Sequence, residues 1–435
     1  MKRIISTTIA LLAVQAAAQS PAPLTFWYEQ ANPSGQRALQ KNLIDPFNAS
    51  QKACRLTLDV RGANLDKQLR VALLSGGGPD IVLTAGPSII AAMAEAGQLL
   101  SLEPYAAKYG WKGKILPVAY DTGIFNKQLY ALPKTYESMA LFYNKTLFDE
   151  NGWKVPKNLK ELDTLAAAML AKNIIPFAEG NADLKGVNEW LVTTVFNHYA
   201  GPDNLAKALQ GKLAWTDPVF VGAIDLLKSW WDKGYFGKNY LSLTLEQAFG
   251  QMATRKAGMS INGTWAFIWA KSFTDAKQVQ ATAPIPSLRS GVSYPLYALG
   301  IGSTLSINKN SKNPDCAAAA LNMIYNASFY QNMNRDWAGD WNVPLRTIDS
   351  AQLAKNTTPL YASTITGLAT AVNKGNFGYT SWTFLPPKTE SYLTAGMEQV
   401  WLSGLSSKDY LQKLNDIFQE ELKAGNLPVI PVASK

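Results

Sequence analysis

The segment INGTWAFIW, residues 261–269, sets two tryptophans and a phenylalanine directly behind an Asn-Gly turn. A large ring at such a place is either core or an uncovered face that waits for a flat ligand, since an indole offers wide apolar area at low entropy cost. Trp265 is the candidate for the uncovered ring; Phe267 and Trp269 are expected to pack, and Thr264 to cap the helix that starts there. Polar partners for a ligand would come from strand ends. Glu29 and Gln30 follow the apolar run LTFWY, and TAGPS (84–88) follows PDIVLT (79–84). Both places are the carboxyl edge at which open α/β sheets bind ligands. At the second of them Gly86 and Pro87 offer only backbone and shape. Asn181 and Asp183, in EGNAD behind the short run IIPFAE, are further partners for hydroxyl groups.

Other chemistry is missing. His198 is the single histidine, so a Ser-His-Asp triad, a Cys-His pair or a zinc site with two His ligands would all rest on it. It closes a helical apolar stretch, VFNHYA, where a packed histidine is expected. GGGPD (76–80) lacks the Gly-Lys-Ser/Thr ending of a phosphate loop and precedes its strand, so a turn is expected. Asp and Glu are plentiful, and counting alone leaves a paired-carboxylate glycosidase open.

The elements that would position these residues begin with the size of the chain. At 435 residues it exceeds the span over which one core usually grows, so two domains are expected. Lys2 and Arg3, the apolar run IISTTIALLAV and the small residues AAAQS form a secretory signal peptide, with cleavage expected after Ala18. No cysteine lies near that point, so no lipid anchor on a new N-terminal cysteine is expected. Export permits a disulfide, and Cys54 and Cys316 are the only pair available. The net charge of +9 comes from basic residues scattered singly, which reads as a solvated surface and not as a nucleic-acid footprint.

Strands and helices alternate through the first hundred mature residues. LTFWY, RLTLDV (55–60) and PDIVLT read as strands, separated by helices near 35–48 and 64–76, the second with Asn64 as its cap; PSIIAAMAEAGQLL starts a further helix with proline in its first turn. That order implies a parallel sheet with helices on both faces. From Lys157 onward helices dominate, strands return near 280–307 in YALGIGSTLSI, and the tail from 348 is helical again. Two lobes with the chain crossing between them more than once fit this order.

Five ordered segments resemble the extracellular solute-binding proteins of ATP-binding-cassette importers, in the maltose-binding-protein-like group. They are GGGPDIVLTAG, AEAGQLLSLEPY, LYALPKTYESMALFYNKTLFDENGWKVPKNLKEL, KAGMSINGTWAF and SINKNSKNPDCAAAALNMI. The resemblance implies an α/β periplasmic-binding-protein type II fold, in which two α/β lobes joined by a hinge enclose an interlobe ligand cleft. Lobe 1 is expected at 24–135 plus 280–327, and lobe 2 at 136–279 plus 328–435. It also implies a monomeric periplasmic or secreted protein, no catalysis and no cofactor, a carbohydrate ligand and a membrane permease as partner. A polyamine or a glycerol-phosphate compound is the alternative ligand, since carboxylates and aromatics suit an amine as well.

A pyranose has apolar C–H faces for aromatic rings and a belt of hydroxyls for carboxylates and amides. On the family's pattern Trp265 aligns with a tryptophan that often stacks on sugar, and Glu137 with a crossover position that lines the cleft. Trp337, Asp340 and Trp341, in NRDWAGDWNVPLR, fall in a loop reaching the cleft, and Trp382, in YTSW, is expected to be partly exposed to it. TAGPS departs from the maltodextrin binders, which have an Asp-Arg pair there; that puts maltose specificity in doubt.

Overall fold

In a computed structural model the described residues are 20–431, apart from 30, 63–64, 184–185 and 426. The expected signal peptide, Gln30 and the expected cap Asn64 therefore lie outside the described residues. The first sheet orders Cys54–Val60, Ala22–Tyr28, Ile81–Thr84, Thr304–Ile307 and Leu132–Pro133. Its first three strands are parallel, and Thr304–Ile307 runs antiparallel to both of its neighbours. In Ala22–Tyr28 the buried side chains are Leu24, Phe26 and Tyr28, the period-two pattern of a strand with one face in the core. GGGPD is a turn. Gly76 and Gly78 take φ of +80° and +95°, which favours glycine, and the Asn308 amide donates to the carbonyls of Gly77 and Pro79 at 2.9 and 3.0 Å.

The second sheet orders Gln280–Ala283, Met139–Asn144, Ala257–Gly263 and Ile175–Phe177. Every residue of Ala257–Gly263 is buried, as in a central strand covered on both faces. A third, short sheet of Phe377–Tyr379, Tyr297–Ile301 and Tyr136–Glu137 lies where the chain passes between the other two. YALGIGSTLSI is thus split: Tyr297–Ile301 belongs to this band and Thr304–Ile307 to the first sheet.

Pairing and packing depart from two of the expected lobe boundaries. Gln280–Ala283 pairs with Met139–Asn144, so the return to the first sheet begins later than residue 280. The helix Ala327–Asp336 packs on the helices of the first lobe around Pro33–Ile44, with Asn42 donating to Asp336 at 3.0 Å and Lys41 paired with it at 2.9 Å. Leu116 N–H then donates to the Pro344 carbonyl at 2.8 Å, which keeps the chain on the first lobe well past residue 328. Pro359–Asn373 then packs on Gln280–Ala283 and Tyr297–Ile301, Pro387–Trp401 packs on Gly186–Val195 and Pro218–Asp232, and Ser407–Ala424 packs on Pro387–Trp401 and Pro218–Asp232.

Cys54 and Cys316 are bonded, with Cα atoms 6.4 Å apart, and the bridge ties the edge strand Cys54–Val60 to the helix Pro314–Ile324. A crosslink closing so long a loop contributes roughly 2–4 kcal/mol. Cys54→Ser with Cys316→Ser is therefore expected to lower the melting temperature by several degrees in a thermal scan; an unchanged midpoint would show that the bridge adds no stability. His198 is buried, and burial pushes its imidazole down to about 3, the state of a packed, neutral ring.

Candidate functional site

The crossover segment Lys134–Ser138 joins the first sheet to the second and is buried throughout. Lys134 Nζ lies 3.0 Å from Asp340 Oδ2 and 3.8 Å from Glu29 Oε1, with its side chain 2% exposed. The same ammonium stands 5.2 Å from the ring centre of Tyr28 and 4.9 Å from that of Trp341, inside the range of cation–π attraction. Those two rings stack at 6.1 Å, and the Tyr28 hydroxyl donates to the Asp340 carboxylate. Thr135 Oγ1 donates to the Asp340 carbonyl at 2.6 Å, so the crossover holds the 337–342 loop by backbone as well as by charge. Burial pushes the Glu29 carboxyl up to about 7 against the pull of Lys134, although a third of its side chain, 35%, stays open to solvent.

Beside this cage stands an aromatic group. The ring of Trp265 lies 4.7 Å from Trp190 and meets Trp382 edge-on at 5.8 Å. Trp265 is half-buried, while Trp190 and Trp382 are buried. Gly263 lies under the Trp265 ring, where a Cβ would come within 2.1 Å of it. The loop carrying Asp340 packs on the same turn through Gly339, whose φ of +106° favours glycine and where a Cβ would come within 3.1 Å of the Trp265 carbonyl. Glu137 faces Gly302, and a Cβ there would fall 2.0 Å from its Oε2. Burial pushes the Glu137 carboxyl up to about 8; Lys134 and the Trp382 indole N–H, close by but outside hydrogen-bond geometry, offset part of that rise.

The strand exit of the second sheet adds two polar side chains. Glu179 Oε1 accepts from Ile261 N–H at 2.7 Å and from the Ser260 hydroxyl at 3.2 Å, while Oε2 is buried without a partner. Burial pushes that carboxyl up to about 8. Asn181 is buried, and neither atom of its amide is paired. Unpaired buried polar atoms are costly, so groups of this kind mark places where a ligand or water completes the bonding.

The structure brings together Glu29, Asp340 and Trp341 around Lys134, and Trp265 against Trp382, whose indole lies near Glu137. Gly86 lies against the Trp382 carbonyl, where a Cβ would come within 2.8 Å, and Pro87 opens the helix Pro87–Glu95 that packs on Ser381–Phe384. These two residues let first-lobe backbone approach the Trp382 segment closely. Five expectations need correction. Trp341 is fully buried, its ring shared by Tyr28, Phe329 and the Lys134 ammonium, so it supports the carboxylates and offers no open face. Trp337 is buried over Gly35, and Trp382 is buried where partial exposure was expected. Asp183 is exposed and accepts from Leu245 N–H at 3.3 Å, at the start of the helix Leu245–Ala253. Thr264 does not cap its helix; it receives the Ser138 N–H at 3.5 Å and donates its own N–H to the Ser138 carbonyl at 3.0 Å. Phe267 and Trp269 pack as expected, against Phe142 and Phe249.

Lys134, Tyr28, Trp190 and Glu179 escape the sequence reading. Tyr28 and Glu179 adjoin expected site residues, whereas Trp190 sits in a helix whose residues after Gly186 are all buried, with no polar face to mark it. A separate groove of about 760 Å3 lies between Asn158–Thr164 and Ser287–Ser290 on the second lobe. No aromatic ring lines it, and Arg289 is occupied with the carbonyls of Tyr199 and Ala200. Among the described residues no group of three or more His, Cys, Asp or Glu could hold a metal ion, and no helix is long and apolar enough to cross a membrane.

Two α/β lobes joined by short crossovers, with aromatic rings and carboxyl groups gathered at the crossovers, define the type II periplasmic-binding-protein fold. The profile of the bacterial extracellular solute-binding proteins matches residues 32–328, well over half of the chain, and the chain belongs to that family. It is 24% identical over 257 residues to a diacetylchitobiose binding protein, NgcE, of Streptomyces coelicolor, covering 57% of this chain and 54% of that protein. It is 26% identical over 277 residues to the maltodextrin-binding protein MdxE of Bacillus subtilis, covering 60% of each. The chain thus matches little more than half the length of these relatives. A solved chitin oligosaccharide binding protein superposes with a TM-score of 0.79 at 20% identity, covering 92% of this chain and 98% of that one, which shows the shared fold.

Proposed function

We propose that the chain binds a carbohydrate, mono- or oligosaccharide, between its lobes and delivers it to the membrane permease of an ATP-binding-cassette importer, without making or breaking bonds in it. The half-buried Trp265 ring carries this reading. It is the one member of the tryptophan group with area left to offer, and it meets Trp382, whose indole N–H lies near the carboxyl of Glu137. A sugar's C–H face and hydroxyl belt ask for that pair of surfaces. The two lobes, taken as 22–133 with 304–346 and 139–283 with 359–431, close about the crossovers, and ligand contacts to both favour the closed state. Names of relatives that bind diacetylchitobiose and maltodextrin support the same ligand class. An exported, monomeric protein fits this role.

Titration with a panel of mono- and oligosaccharides is expected to shift tryptophan fluorescence saturably and to raise the melting temperature. Trp265→Ala should weaken that binding at least about tenfold, since loss of one stacked ring costs upward of roughly 1.4 kcal/mol. Unchanged affinity would return Trp265 to the core. A response confined to polyamines or glycerol phosphates would replace the ligand class, and release of shorter saccharides from an oligomer would overturn the reading as a binder.

A further inference from the structure

We propose that Lys134 sets ligand specificity: its ammonium fills the acid-and-aromatic cage beside the cleft, so that the cleft takes an uncharged solute and turns amines away. This rests on the interlobe cleft being the ligand site. A free amine is recognised by carboxylates at ion-pair distance and by ring faces within about 6 Å of the charge. That complete set is present here in Glu29, Asp340, Tyr28 and Trp341, and the chain's own lysine occupies it, at 3.0 and 3.8 Å from the two carboxylates and 5.2 and 4.9 Å from the two ring centres.

The occupant is fixed from behind. Lys134 N–H donates to the Ser303 carbonyl at 2.8 Å, and the Tyr325 hydroxyl donates to the Pro133 carbonyl at 2.9 Å. A tethered ammonium competes at a high effective concentration against any amine in solution. Little negative charge is left over to attract a second cation. Glu29, pushed up to about 7, is only partly ionised near neutrality, and Glu137, pushed up to about 8, is mostly protonated there. The same residue types that leave an amine ligand open on composition alone therefore argue for a neutral one once their occupant is seen.

The test is chemical rescue. Truncation in Lys134→Ala removes the atoms that n-propylammonium carries, so about 10 mM of that amine is expected to restore about half of the lost melting temperature by binding the folded state alone. Equal sodium chloride or propan-1-ol should not. Wild type should respond to neither propylammonium nor putrescine beyond the salt control. Asp340→Asn placed on Lys134→Ala should abolish the rescue. Saturable amine binding by wild type, or a folded Lys134→Ala that amine leaves unmoved, would overturn the proposal. If the alanine variant does not fold unaided, its refolding yield with and without propylammonium gives the same readout, and equal yields count against the cage. Saccharide titration of wild type runs alongside; its failure would sink the carbohydrate reading, whereas rescue is read on the variant alone.

Discussion

Lys134→Ala is expected to lower the melting temperature by about 5–10 °C, because removing one partner of a buried ion pair costs roughly 3–5 kcal/mol. The lysine stands at a point where four groups depend on it. Asp340, with 16% of its side chain exposed, would lose its ion partner and keep the Tyr28 hydroxyl, and Trp341 would lose the cation on its face. Volume is a secondary matter. Lys134→Met preserves most of the stem yet leaves the carboxylates uncompensated, so it is expected to lose nearly as much. Lys134→Met with Asp340→Asn removes the stranded charge and should recover a clear part of the loss, since replacing both partners is far milder than removing one. Thermal or urea melts of wild type, Lys134→Met, Asp340→Asn and the double variant close the cycle. Equal losses in the single and double variants would mean that the cage is held by packing alone and that the charges do not couple.

Strand and helix order along the first sheet is legible where a strand carries its own period-two or continuously apolar pattern, as in LTFWY and PDIVLT. Sheet membership is not. Gln280–Ala283 is four residues long with mixed burial, and nothing in QATA says whether it pairs with Met139–Asn144 or returns to the first sheet. Pairing is a property of two distant segments, and a short strand carries little of it. The site divides in the same way. Trp265, Glu137 and Asp340 show in the sequence as residue types in telling places. Which partner each one faces is set by three-dimensional neighbours that the local pattern does not contain. Lys134 is the sharpest case: a lone lysine reads as a solvated surface residue, and only the convergence of Glu29, Asp340, Tyr28 and Trp341 makes a buried ammonium stable. Asn181 and Asp183 stand two residues apart, yet one is buried with its side-chain amide unpaired and the other is exposed at a helix start. The turn after a strand decides that, and composition does not.

Glu179→Gln is expected to raise stability above neutrality and to flatten its dependence on pH. The Glu179 carboxyl is fully enclosed, and burial lifts it from the usual carboxylate range to about 8. In the unfolded chain it titrates near 4.3. Between those values the folded state holds the proton and the unfolded state does not, so stability falls as pH rises through that window. At about 1.4 kcal/mol per unit, Glu179 alone accounts for roughly 3 kcal/mol between pH 5.5 and 8.5. Glu137 and Glu29, raised to about 8 and about 7, act in the same direction. His198, pushed down to about 3, acts in the opposite one: below about 6.5 the unfolded chain takes up its proton first, and stability falls as pH falls. The carboxyls outnumber the single imidazole, so wild type should be more stable at pH 5.5 than at pH 8.5. Glutamine reproduces the protonated side chain, with an oxygen to accept from Ile261 N–H and Ser260 and no proton to lose. Melts of wild type and Glu179→Gln should therefore coincide at about pH 4 and separate steadily as the pH rises from about 5 to about 8. Parallel curves would mean that Glu179 ionises normally in the folded protein, with water or a counter-charge at the buried Oε2 that makes the ion stable there.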